Sequence, residues 1–132
     1  MMDKIPPGAL VVVADGGGAR LFRNTGEGNT LSLTQIEVLT PQNVNDEGPS
    51  GSMPPDLRNN EAEEALFAKQ LAHRLNADVL KHRYAHVVLV ADPQTLGQIR
   101  PQLHKETQAR LVGELAKTLT NATLADIETA LG

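Results

Sequence analysis

The chain has 132 residues, enough to bury about two-thirds of its unfolded surface and too few for two ordinary domains, so one domain over 1–132 is expected. Hydrophobic residues make up 40% and charged residues 21%, proportions that exclude wholesale disorder, and with only Phe22, Phe67 and Tyr84 aromatic a base-stacking platform is excluded too. A net charge of −4 confines any phosphate contact to a local patch, and the lack of cysteine removes disulfides, thiolate catalysis and Cys-based zinc sites.

No apolar run of signal-peptide length follows Lys4, and no window approaches the ~20 apolar residues of a membrane helix, so a cytoplasmic protein with no membrane contact is expected. From Ala9 to Ala14 the chain is continuously apolar between Pro6-Pro7-Gly8 and Asp15-Gly16-Gly17-Gly18, which reads as a strand buried on both faces. The Asp-Gly step predicts a hairpin into a second strand, Ala19–Asn24, and a turn at Thr25-Gly26-Glu27-Gly28 leads to a third over Thr30–Thr40. In that third strand Leu31, Leu33, Gln35, Glu37 and Leu39 alternate imperfectly with their neighbours.

Pro41 to Asn59 is rich in Pro, Gly, Asn, Ser and Asp, so it is expected to be a surface loop, flexible on the nanosecond timescale for want of apolar residues to bury. Asn59 or Asn60 can cap the next helix, with Glu61, Glu63 and Glu64 at the positive end of its dipole. Ala65, Ala68, Ala72, Leu75 and Val79, with Leu71 beside them, give that helix one apolar stripe.

Val87–Ala91 is a second fully apolar strand, ending at Asp92-Pro93, where proline opens a helix. Leu96, Ile99 and Leu103 keep helical spacing, but Pro101 predicts a break near Arg100. Over Leu111–Leu119 helix propensity favours a helix, although a fifth strand would complete the sheet. Thr120 or Thr123 can cap a last helix that buries Leu124, Ile127 and Leu131. The expected class is α/β: a ribonuclease H-like three-layer domain with a mixed five-stranded sheet in the order β-β-β-α-β-α-β-α and helices on both faces, because two all-apolar strands need double cover.

Two constellations could carry function. Asp15 and Asp92 end the two buried strands, and with Glu61 or Glu64 they could cluster oxygen ligands for a metal-dependent nuclease. The competing reading makes Asp15 a turn former and Asp92 a helix cap. Arg74, Lys81, His82 and Arg83 form a basic cluster, with Arg20 and Arg23 on the second strand, and this patch is the candidate RNA-binding surface. Gly16-Gly17-Gly18 matches neither a P-loop nor a dinucleotide pattern and reads as a turn. Ser50 lacks a nucleophile-elbow setting, His82 and His86 need not share a face, and Asn121-Ala122-Thr123 is a sequon without a secretory route. No cofactor is called for.

Four stretches, Val11–Asn24, Phe67–Asn76, Val87–Gly97 and Arg110–Thr120, together resemble the host-attachment protein family, bacterial stand-alone relatives of the middle domain of archaeal and eukaryotic peptide-chain release factors. The resemblance implies that domain's fold, makes Leu111–Leu119 a strand, and implies a translation-linked ancestry with the 41–59 loop where release factors carry their catalytic loop. Those factors act through a Gly-Gly-Gln tripeptide, which this chain lacks: Gly16-Gly17-Gly18 precedes Ala19, and Gly97-Gln98 follows Leu96. The leading expectation is a non-catalytic module that meets the ribosome or RNA through the basic patch and the loop. The alternatives are the nuclease and a protein-interaction factor indirectly required for attachment to host cells.

Overall fold

The computed structural model describes residues 5–28, 30–41, 43 and 60–132, with the backbone alone at Asn60 and Glu61. In chain order it contains β1 (Leu10–Asp15), β2 (Gly18–Asn24), β3 (Leu33–Leu39), α1 (Asn60–Leu80), β4 (Val87–Ala91) and α2 (Pro93–Ile99). A 3₁₀ turn over Arg100–Gln102 then precedes α3 (Lys105–Arg110), β5 (Leu111–Ala116) and α4 (Leu124–Leu131). The strands form one open sheet in the order β3-β2-β1-β4-β5. β1 and β2, and β2 and β3, pair antiparallel, whereas β1 with β4 and β4 with β5 pair parallel. The protein is therefore α/β with a mixed five-stranded sheet, and no described helix is long and apolar enough to cross a membrane.

Every residue of β1 from Leu10 to Ala14, and all five of β4, are buried, as their unbroken apolar sequences require. The pleat divides them between two cores. Leu10, Val12, Ala14, Leu89 and Ala91 join Phe67, Leu71 and Leu75 of α1 and Leu96 and Ile99 of α2 on one face. Val11, Val13, Val88 and Val90 join Phe22, Leu33, Ile127 and Leu131, the last two from α4, on the other.

The imperfect alternation of the third strand has a physical cause. Gln35 lies opposite Phe22 but Glu37 lies opposite Leu21, so β3 carries one extra residue, Ile36, in a bulge. A bulge moves the following side chains to the opposite face. Leu33 accordingly packs in the α4-side core and Leu39 in the α1-side core, although both are odd-numbered. β3 is also shorter than the sequence suggested, starting at Leu33 rather than Thr30, because the Asn24 side chain draws the preceding segment into a turn by accepting from Gly26 N and Ser32 N.

Two expectations for the helices need correction. Ala65 is exposed and Phe67 fills the core in its place, so the stripe of α1 runs Phe67, Ala68, Leu71, Ala72, Leu75 and Val79. Leu124 is 40% exposed, which leaves Ile127 and Leu131 as the buried side of α4. Leu111–Ala116 is a strand, against helix propensity but as the family resemblance implied, because pairing with β4 wins over intrinsic preference. The break at Pro101 is present, but α3, capped by the His104 ring accepting from Glu106 N at 3.1 Å, was not anticipated. Thr123, not Thr120, caps α4, accepting from Asp126 N at 3.1 Å. The cap expected at Asn59 or Asn60, and most of the 41–59 loop, lie outside the described residues.

α1 ends in a paired-bond turn: Arg83 N donates to Asp78 O and His82 N to Val79 O, with His82 at φ 61°. Glycine normally occupies this left-handed position, and a Cβ there is strained. His82→Gly is expected to raise the unfolding free energy by about 1 kcal/mol, seen as a higher urea midpoint at unchanged slope. A lower midpoint would mean that the imidazole makes an interaction outweighing the strain.

Candidate functional site

The carboxyl ends of the parallel strands bring Asp15, Asp92 and the start of α1 to one end of the sheet. Ala14 of β1 and Ala91 of β4 are register partners, so Asp15 and Asp92 leave the sheet side by side at one end. β3 also ends here, since Leu39 pairs with Ala19, and α1 begins here, with Glu64 against Gly16. A Cβ on Gly16 would displace the Glu64 side chain, whose Oε2 lies 2.6 Å from its position. An open groove of about 570 Å³ lies between this hairpin and the segment before α4, lined by Asp15, Arg20, Gln35, Val38, Thr40 and Thr120.

The carboxylates do local structural work. Asp15 Oδ1 accepts from Gly17 N at 2.8 Å, closing the turn, and its Oδ2 accepts from Thr120 Oγ1 at 2.6 Å. Asp92 Oδ2 accepts from Thr95 N at 3.1 Å and so caps α2. Asp15 follows Val11 and Val13 in the pleat, which sends its side chain to the face opposite α1 and therefore away from Glu64. Among the described residues no three Asp, Glu, His or Cys side chains have an arrangement that could hold a metal ion. Among the described residues His82 and His86 join no such cluster, His82 being an exposed turn residue; the side chain of Glu61 and all of Ser50 lie outside the described residues.

The five basic residues separate into two groups. Arg74 and Arg20 are spent inside the protein. Arg74 extends from α1 to form paired hydrogen bonds with Glu37 of β3, and its Nε donates to Asp78 at 3.2 Å. The hydrogen bond with Glu37 outweighs burial and, with the Asp78 charge, raises the Arg74 pKa above the ordinary guanidinium value. That stabilisation is complete at any pH below the ordinary value and is lost only as pH rises through the raised one, so neutral-range titration leaves Arg74 charged. Arg20 packs over the Phe22 ring at 5.0 Å and donates to Gln35 Oε1, Thr120 O and Ala122 O.

Arg23, Lys81 and Arg83 belong to the opposite end of the sheet. Arg23 pairs with Leu10 at the start of β1 and stacks over Tyr84 at 5.5 Å, beside the turn that displays Lys81, His82 and Arg83. Arg83 reaches Asp78 at 3.4 Å but remains 56% exposed, and Lys81 is exposed. This corner is a cationic surface built on an aromatic ring, at the amino ends of β1 and β4. Of the five basic residues named from the sequence, Arg23, Lys81 and Arg83 lie together at this corner, whereas Arg20 and Arg74 make contacts elsewhere. The Asp15–Thr120 and Arg20–carbonyl contacts were not anticipated, since partners about a hundred positions apart leave no local pattern.

The division has measurable consequences. Asp78 is only 5% exposed, so Arg74→Met is expected to cost about 2 kcal/mol in urea unfolding, whereas Arg83→Met costs under about 1 kcal/mol, being largely screened by solvent. Equal losses would contradict the assignment of Arg74 as the internal partner. Millimolar Mg²⁺ or Mn²⁺ is expected to leave the amide resonances of Asp15 and Asp92 unmoved; site-specific shifts or broadening at both would favour the nuclease reading.

The chain matches the model of Bacterial archaeo-eukaryotic release factor family 12 over residues 8–131. No curated protein matches it. A match that begins before β1 and ends within α4 takes in every strand and helix described above, and the protein belongs to Bacterial archaeo-eukaryotic release factor family 12.

Proposed function

We propose that the protein is a non-catalytic, translation-associated binding module that meets the ribosome or its RNA in the cytoplasm. The observation that carries this reading is membership of a release-factor family in a chain whose sequence contains no Gly-Gly-Gln. We read the strand order β3-β2-β1-β4-β5 as the ribonuclease H-like layout, and the whole chain as one domain. On this reading the segment between β3 and α1 takes the place of the release factors' catalytic loop. It leaves and returns at the end of the sheet that carries Asp15 and Asp92, rooted at Thr40 beside the groove.

Two surfaces engage the partner in this proposal. One is the 41–59 segment; the other is the corner formed by Arg23, Lys81 and Arg83, roughly 20 Å away along six residues of strand. A chain of net charge −4 approaches RNA against its own field, so the corner supplies the phosphate contacts and makes binding salt-dependent. Any part in attachment to host cells is then indirect, through the proteins whose synthesis changes.

The Arg74–Glu37 contact ties α1 to β3 without help from the connecting segment, which makes a loop replacement feasible. Wild-type protein is expected to co-sediment with ribosomes at low salt. Replacing residues 41–58 by a short linker, or reversing the charges of Arg23 and Lys81, is expected to weaken association by about tenfold or more, and the charge variant to flatten the salt dependence. No association at low salt, or association indifferent to both changes, would end the proposal.

A further inference from the structure

The α4 side of the sheet is incompletely covered. α4 packs Ile127 and Leu131 against Val11, Val13, Phe22 and Leu33, and beyond them, toward the carboxyl end of β1, the open groove of about 570 Å³ begins. Its walls come from three strands. Asp15 of β1 and Arg20 of β2 follow Val13 and precede Phe22 in the pleat, which turns both to this face, and Gln35 reaches Arg20 from β3. The bulge at Ile36 brings Val38, the register partner of Arg20, onto the same face, where it is 47% exposed.

The groove holds two opposite charges that do not neutralise each other. Arg20 Nε donates to Gln35 Oε1 and Nη1 to the carbonyls of Thr120 and Ala122, all neutral oxygens. The hydrogen bonds fix the guanidinium in place, but Nη2 keeps its N–H groups and the charge has no carboxylate partner among the described residues. Asp15 has no cationic partner among them either: its oxygens accept from Gly17 N and Thr120 Oγ1, and each retains a lone pair. Thr120 stands between the two, its carbonyl accepting from Arg20 and its hydroxyl donating to Asp15. Two opposite charges are thus neighbours held out of contact, and their complement is a molecule that brings both signs.

We infer that this groove binds a small dipolar molecule, with a carboxylate on Arg20, an ammonium on Asp15 and an apolar side chain over Val38. That is the chemistry of an apolar α-amino acid, or of a short peptide with both ends free. A phosphate group is disfavoured, because its second negative charge would lie beside Asp15. Few, well-placed polar groups beside apolar wall are also what orients a small ligand in a cleft. The groove is at the carboxyl ends of the strands and the Arg23–Tyr84 corner at the amino ends, so this inference stands apart from the ribosome reading.

Titration of the purified chain with L-leucine and with leucyl-leucine, followed by amide resonances, tests the proposal, and the tighter of the two identifies the source. At millimolar concentration at least one is expected to shift the amides of Gly17, Val38 and Asn121 and to leave those of Lys81 and Arg83 in place. N-acetylation removes the ammonium and C-terminal amidation the carboxylate, and each is expected to weaken binding at least about tenfold. Val38→Glu, at an exposed position, sets a carboxylate opposite Arg20 and is expected to weaken binding by a similar factor while the remaining amides keep their positions. Asp15→Asn is expected to remove the preference for the free over the N-acetylated ligand, a change that a merely structural role for Asp15 would not produce. The proposal is overturned by silence toward both ligands, by shifts centred on the Arg23–Tyr84 corner, or by acetylated and amidated forms that bind as well as the free ones. Binding indifferent to Val38→Glu overturns it too, as does an Asp15→Asn loss equal for free and acetylated ligand.

Discussion

The parallel pairing of β1 with β4 is the constraint on which the rest of the architecture depends. Both strands consist of side chains with no polar face to offer water, so neither can lie at an edge or under a single layer. Burying a Val or Leu side chain contributes about 1.5–3 kcal/mol, which makes the centre of this sheet the largest local source of stability. Cover on both faces is therefore obligatory. It comes from α1 and α2 on one side and from α4, a helix of only eight residues, on the other.

That imbalance explains where the molecule spends its polar contacts. The short α4 is fastened at both ends by interactions distant in sequence. Near its start, Arg20 holds the carbonyls of Thr120 and Ala122 while Asp15 holds the Thr120 hydroxyl; in its last turns, Glu128 accepts from Leu33 N. Residues that resemble a catalytic or nucleic-acid-binding set in the sequence thus serve to pin a thin layer. The same thinness leaves the apolar side chains next to β5 half-covered, whereas the β3 edge is closed by Asn43 and Glu128.

Legibility in the sequence followed the range of the interactions. β1 and β4 were readable because composition alone announces them, and the first hairpin because Asp-Gly marks its turn. The start of α2 was readable because Asp92-Pro93 is a local cap signal, and Asp92 does cap it. β3 blurred because a bulge reverses its faces midway, which a strict period of two cannot represent. β5 contradicted its own propensity, since what makes it a strand is the neighbouring β4 and not anything within Leu111–Ala116. For the basic residues, proximity in sequence showed where they lie and not whether their charges were already spent. Arg74 and Lys81 are seven positions apart, yet one is committed to Glu37 and Asp78 and the other faces solvent.

The surviving polarity of the molecule lies along the strands. At the carboxyl ends, Asp15 accepts from the Gly17 amide and the Thr120 hydroxyl and Asp92 from the Thr95 amide, so both carboxylates fix local backbone geometry at the root of the segment joining β3 to α1. At the amino ends, Arg23 and Lys81 have no carboxylate partner among the described residues, and Asp78 answers Arg83 from a position already shared with Arg74. One end fixes a chain segment in place and the other projects positive charge. On the function proposed above, the Arg23–Tyr84 corner, a guanidinium over an aromatic ring with Lys81 and Arg83 beside it, is the part of the fold with chemistry suited to a polyanion.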